Sequence, residues 1–384
     1  MNISQQIISQ VEPKKSAVVD AEKSAVSLGI YTVSASTNRL NRYWRYYLQR
    51  AACDLLPGSR VNTCLKLIIP GCSGVDVLYS DEKRRARYGN LCMCGLIWIC
   101  PVCASRISEG RSELLRAAMS HKQVNPLLIT FTMSHGASQR LAPNLDALSD
   151  AYRALTTGRA WQSFKERYGW LTSIRALEVT HGDNGWHPHL HVLAFMKQPF
   201  HYDEQITFDL ELTDLWRKQL ASKGASASRE HGVDVRTAKK DAIEYVAKFG
   251  HESTGQWGIE RELTKAVTKN ARKHGRTPFA LLNDAAQGDQ HAGDLFREYD
   301  AAFKGRKQLV VNKDARELLN LKDVSDAQLL AAPIDEAHDR LMRTLDKKQW
   351  IRCLVGDLKI ELLKVASTGS DEELAAWLMR VGVL

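Results

Sequence analysis

Three histidines, His187, His189 and His191, recur at every second position of the stretch HPHLHVL. Side chains alternate faces along a strand, so the three imidazoles share one face while Leu190 and Val192 point to the other. Just upstream, Gly182, Asp183, Asn184 and Gly185 supply turn chemistry between two strand-like runs, the pattern of a β-hairpin. A turn centred between Asp183 and Asn184 sets Glu178 opposite His189, with its side chain on the same face. Two neutral imidazoles and a carboxylate from neighbouring strands make a three-ligand site with open positions. Such a site suits Mg²⁺ or Mn²⁺ in a catalytic role, with room for a phosphate oxygen. Polar outward residues of an ordinary strand are the alternative. The binuclear pattern H-x-H-x-D-H is absent, since Val192 and Leu193 follow, and so is H-E-x-x-H.

A nucleophile has to come from elsewhere. TAKKDAIEYVAKFG reads as a helix that docks by Ala242, Val246 and Phe249, with Ile243 beside them and Gly250 ending it. Tyr245 lies on the flank of that stripe, four residues after Asp241 and three before Lys248, so both neighbour its hydroxyl on a helix surface. A phenol with a free pKa of about 10 needs a base, a cation or a metal to become a nucleophile. Lys248 could steady the phenolate or hold a phosphate, and Asp241 or Glu244 could activate water or another hydroxyl. The same spacing also fits a half-buried tyrosine among helix-surface charges.

Four of the eight cysteines, Cys92, Cys94, Cys100 and Cys103, form a C-x-C-x5-C-x2-C array in CMCGLIWICPVC. Four thiolates suit tetrahedral Zn²⁺ in a closed, structural site. C-x-C is a tight first pair, so Cys72 or Cys64 could replace Cys92, and buried free thiols are the alternative. Arg106 and Arg111 just beyond would let this module touch a DNA backbone, or are simply solvated.

The elements that must position these groups are mixed. Residues 37–56 read as a helix capped at Thr37 or Asn38, ISEGRSELLRAAMSH as a helix and PLLITFTMSH as a strand. NLDALSDAYRALTTGRAWQSFKERYG reads as helix, TSIRALEVTHGDNGWHPHLHVLAFM as the hairpin, DLELTDLWRKQLASKG as helix and VDVRTA as strand. This order argues α+β with an antiparallel sheet. From about residue 256 the pattern is almost entirely helical. DEAH at Asp335–His338 is a decoy: the chain has no G-x-x-x-x-G-K-[ST] loop, and the letters fall in an apparent amphipathic helix, PIDEAHDRLMRTL. The 384 residues carry a net charge of +9, a balance that favours polyanionic partners without proving them. With 44% hydrophobic and 25% charged residues most of the chain should fold. No apolar run is long enough for a membrane span and no signal-type leader opens the chain, so a cytoplasmic protein without a membrane partner is expected.

LLITFTMSH, then LEVTHGDNGWHPHLHVL, then IEYVAKF, in this order, resemble the three motifs of the HUH endonucleases, named for a histidine, bulky hydrophobe, histidine core. ELTKAVTK and the stretch from Gly275 to Leu309 resemble the tail of the Gram-positive-type plasmid rolling-circle replication initiators, and coverage runs from about Leu91 to about Leu321. The resemblance implies His189 and His191 as the metal pair, Glu178 as third ligand, His187 as a further residue of the metal site, either supporting the ligands or facing the substrate, and Tyr245 as the nicking nucleophile. It further implies a sheet with the metal site on one face and the tyrosine helix laid against it. With one motif tyrosine rather than two, the second activating group falls to Asp241, with Glu244 in reserve. Relatives often carry a similar CG…CPVC segment, which favours zinc. Where they often have Trp-Ser, this chain has Val311 and Asn312. The implied architecture is an antiparallel-sheet HUH nuclease domain with helices on one face, a small zinc-type module and a helical C-terminal region. Its expected divisions are a flexible leader (1–40), a helical and Cys-rich module (41–120), the endonuclease domain (121–255) and the helical region (256–384). Expected partners are origin DNA, both as a single-stranded nick site and as a double-stranded binding site, with a host helicase and DNA polymerase. An HUH transposase or mobilisation relaxase would use the same residues, whereas a non-catalytic zinc-containing DNA-binding regulator would need only the cysteines and the charge.

Overall fold

A computed structural model describes residues 35–237, 275–331 and 339–384. Tyr245 and its neighbours Asp241, Glu244 and Lys248 therefore lie outside the described residues, as does most of the leader. The described chain is α+β and every strand pairing in it is antiparallel.

Helix α1 (Ala35–Leu55) leads into a 3-10 turn and a hairpin of β1 (Gly74–Ser80) and β2 (Arg85–Gly89). Helix α2 (Pro101–Met119) starts on Pro101, whose missing N–H costs nothing at a first helical position. Then come β3 (Asn125–Thr132), α3 (Leu141–Thr157), α4 (Arg159–Tyr168), β4 (Trp170–Gly182), β5 (Gly185–Met196), α5 (Tyr202–Ala221) and β6 (Val233–Thr237). The remaining elements are α6 (Pro278–Ala286), α7 (Gln290–Phe303), β7 (Leu309–Val311), α8 (Lys313–Leu318), α9 (Asp326–Ala331) and β8 (Asp339–Asp346). The chain ends with α10 (Lys347–Val355), α11 (Lys359–Ala366) and α12 (Asp371–Arg380).

The main sheet has the order β6-β3-β5-β4-β7, so the histidine strand is central, flanked by β3 and β4. Period-two alternation splits its side chains cleanly. Leu190, Val192, Ala194 and Met196 join Ile129, Phe131, Leu177 and Val179 in the large core under α3, α4 and α5. On the opposite face Leu193 and Phe195 pack with Leu128, Ile174, Leu115 of α2 and Ala315 of α8. Helices thus flank both faces, not one as expected. The second face needs cover because its far half is apolar, while its near half carries the histidines.

The C-terminal region also departs from the expected almost entirely helical pattern. β7 adds to the main sheet, and β8 pairs with β1 in a second sheet of order β2-β1-β8. Residues 339–345, read from sequence as part of an amphipathic helix, are strand because β1 offers ladder partners on both sides of a bulge at Met342. Propensity yields here to a tertiary contact. No helix among the described residues is long and apolar enough to cross a membrane.

The hairpin turn has the predicted register. Gly182 pairs with Gly185 and Glu178 with His189, leaving Asp183 and Asn184 as the turn. Gly185 sits at φ +80°, and a Cβ there would come within 3.0 Å of the Gly136 carbonyl oxygen and Ala137 Cα. Both the left-handed backbone and the close approach demand glycine. Gly185→Ala is expected to cost about 1–3 kcal/mol, a loss that a thermal or urea unfolding curve would register.

Candidate functional site

Glu178, His189 and His191 converge on the polar half of the second face, their ligand atoms all within 4.8 Å of one another. Glu178 Oε2 lies 3.0 Å from His189 Nε2 and 2.8 Å from His191 Nε2. His191 is 5% exposed and His189 12%, whereas Glu178 retains 28%, so the cluster opens on the carboxylate side.

The other ring nitrogens are fixed from below. His189 Nδ1 lies 3.3 Å from the His187 carbonyl, which can only accept, so Nδ1 carries a proton. His191 Nδ1 is 3.0 Å from the Thr130 hydroxyl of β3. Each histidine therefore turns Nε2 towards the carboxylate, the orientation a shared cation requires. His189 thus faces an acceptor at both nitrogens. Burial opposes the charge on His189, but the Glu178 carboxylate and its hydrogen bond outweigh it and raise the imidazole. Burial likewise favours neutral Glu178, yet the charge of His189 and hydrogen bonds from both histidines hold it well below the carboxylate range. A divalent cation replacing the Nε2 protons would satisfy all three groups, and the donor set of two nitrogens and a carboxylate suits one.

His187 stands next in the row but outside the ligand cluster. Its ring stacks on that of His135 at 4.7 Å, and burial, with the charges of His189 and His135, holds it down at about 4. It is a neutral neighbour of the site. The strand start is pinned by Glu298 of α7, whose carboxylate accepts from the Trp186 indole N–H at 3.1 Å and from the Leu141 N–H that opens α3 at 3.0 Å.

A second cluster joins Cys64, Cys94, Cys100 and Cys103, all buried. Cys64 and Cys94 each lie 3.6 Å from Cys103 Sγ, and Cys100 lies 3.7 Å from Cys64 Sγ. A tetrahedron with metal–sulfur bonds of about 2.3 Å has edges of about 3.8 Å, so the spacing fits a four-thiolate site. Cys64, not Cys92, is the fourth member. Residues 65–69 pair with 90–92: the Cys92 N–H donates to Leu67 O and its carbonyl accepts from Leu65 N, both at 2.8 Å. This ladder brings Cys64 against Cys94, whose N–H points at the Cys64 sulfur at 3.4 Å. Cys92 and Cys72 stay outside, half-buried. Arg111 is not available to DNA either: its guanidinium is bound by Asp326 and Gln308 at 2.8 Å.

Thr130 and Glu298 were not singled out from sequence. Thr130 had a signal, as a polar residue sharing a strand face with Leu128, two positions away. Glu298 had none, because its partners are more than a hundred residues distant.

A family model described as "Replication protein" matches residues 83–351. A "Protein rep" of Streptomyces lividans is 29% identical over 371 residues, covering 78% of this chain and 80% of that protein. A "Neomycin resistance protein" of Streptomyces cyanogenus is 35% identical over 134 residues, 28% of this chain and 31% of its own. A "Protein rep" of Bacillus amyloliquefaciens is 27% identical over 128 residues, 32% and 36% of the two chains. No solved structure gives a significant match. Thr130→Val, which removes the group behind His191, is expected to weaken Mn²⁺ binding by about 10- to 100-fold with the fold intact, as read by metal titration.

Proposed function

The chain belongs to the replication protein family, and on that premise we propose that it initiates plasmid rolling-circle replication by nicking one strand of its origin DNA. The observation that carries this reading is the convergence of His189 and His191 on one carboxylate oxygen of Glu178, on a sheet face that opens at that carboxylate, in a chain whose order of motifs also supplies Tyr245.

In this mechanism the Tyr245 hydroxyl oxygen attacks the scissile phosphorus and gives up its proton to solvent, which returns one to the leaving oxygen. The P–O3′ bond breaks, Tyr245 becomes linked to the 5′-phosphate, and the 3′ oxygen takes up a proton to become the primer hydroxyl. Lys248 steadies the developing phenolate charge, and Asp241, with Glu244 in reserve, activates the later hydroxyl or water that resolves the link. Glu178, His189 and His191 would hold Mg²⁺ or Mn²⁺, and the ion would supply polarisation of the scissile phosphate. Transesterification conserves the phosphodiester energy, so rejoining needs no nucleotide. His187 and His135 border the site where the strand would lie. The sheet is read as an HUH-type nuclease sheet. Cys64, Cys94, Cys100 and Cys103 would hold a structural Zn²⁺. Origin DNA is the direct partner, and a host helicase and DNA polymerase would act on the nicked product. The net charge of +9 supports salt-sensitive binding to phosphates.

The test incubates the protein with Mn²⁺ and an end-labelled single-stranded origin oligonucleotide, resolves the products on a denaturing gel and maps any adduct by mass spectrometry. An adduct at Tyr245 is expected, with none in Tyr245→Phe although origin binding persists. His191→Ala is expected to slow cleavage on the order of 10³-fold. An adduct on another tyrosine would reassign the nucleophile. Specific binding without cleavage under any metal would make the protein a DNA-binding regulator instead.

A further inference from the structure

Lys359, the first residue of α11, is half-buried and sets its ammonium against Gln49, which touches the cysteine cluster. Its Nζ donates to Gln49 Oε1 at 3.1 Å and lies 5.5 Å from the centre of the Tyr46 ring. Among the described residues it has no carboxylate partner. Burial pulls the ammonium below the ordinary lysine range. An ammonium partly withdrawn from water without a counter-charge is costly, and an anion nearby offsets that cost.

Gln49, 2% exposed on α1, connects the lysine to that anion. Its Nε2 donates to Cys100 Sγ at 3.5 Å while its carbonyl oxygen accepts from Lys359. A single carboxamide thus separates the ammonium from the sulfur cluster. Cys100 caps the N-terminus of α2 and Cys103 lies in its first turn, where the helix dipole favours thiolates. Four thiolates around a divalent ion leave a net charge of −2 in a dry site, whereas four neutral thiols would leave the ammonium uncompensated.

We propose that Lys359 is the counter-charge of the cysteine metal centre, coupled to it through Gln49, so that metal binding and the seating of the C-terminal segment stabilise each other. This rests on the reading of the cysteines as a zinc site. The rest of the segment is placed to respond. β8 pairs with β1, the Tyr88 hydroxyl donates to the Lys359 carbonyl at 2.6 Å, and the Trp350 indole donates to the Lys66 carbonyl at 2.8 Å, two residues from Cys64. Energetic coupling of this kind is reciprocal: whatever seats α11 raises metal affinity by the factor that metal raises seating.

The experiment measures zinc affinity of the full-length protein by chelator competition, together with amide hydrogen exchange of residues 339–384 before and after zinc removal. Lys359→Gln keeps a donor for Gln49 and removes the charge, and Lys359→Arg keeps the charge. Lys359→Gln is expected to weaken zinc binding by about 10- to 100-fold, Lys359→Arg to restore most of it, and zinc removal to speed exchange in residues 339–384 of the wild type. Wild type and Lys359→Gln binding zinc equally would overturn the counter-charge role and leave the metal centre standing. A wild type that binds no zinc would overturn the centre and the role together. If Lys359→Gln does not fold, Gln49→Leu, which cuts the link from its other end, is expected to show the same loss, and unchanged affinity there would overturn the proposal.

Discussion

The register of the β4–β5 hairpin is the constraint on which the site depends. Because strand side chains alternate, a slip of one residue would send Glu178 or the histidines into the core beneath α3 and α5. Two features forbid the slip. The apolar residues of β5 alternate with the histidines and fill a packed core, and the turn closes at Gly185 against the backbone of residues 136–137. The same pairing that fixes the fold therefore fixes the distance between a carboxylate and two imidazoles.

One sheet face serves two purposes along its length. At the far end Leu193 and Phe195 are buried under α2 and α8. Two residues nearer the turn, His191 is still 5% exposed, held in a wall of packed side chains, and the face opens only at Glu178. The ligands thus stand on rigid strands at the edge of a hydrophobic layer. Low polarity there strengthens any charge interaction and makes an unpaired ionised group costly. Thr130 and the His187 carbonyl hold the rings in the orientation in which a cation satisfies them best.

The cysteine cluster and the C-terminal segment form a second unit of organisation. β1 and β2 cannot make a stable sheet as an isolated hairpin, and β8 returns from more than 250 residues away to complete it. The same return carries Trp350 and Lys359 to the cysteine module. β7, from beyond residue 256, lies in the main sheet, and β8 pairs with β1 from before residue 120.

The sequence by itself determined the α+β class, the hairpin with its turn, and the facing of Glu178 and His189, because each rests on local periodicity and turn chemistry that a few neighbouring residues carry. Most helices and strands were legible for the same reason. The sequence did not determine that Cys64 rather than Cys92 completes the sulfur cluster, which follows from a ladder between residues 65–69 and 90–92. It did not make β8 a strand or cover the second sheet face, since both need partners distant in the chain. Arg111, read as DNA-facing or solvated, is bound to Asp326, and Glu298, which carried no signal, holds Trp186. These were decided by tertiary structure alone, because a side chain's partner across the fold leaves no periodic trace in the residues around it.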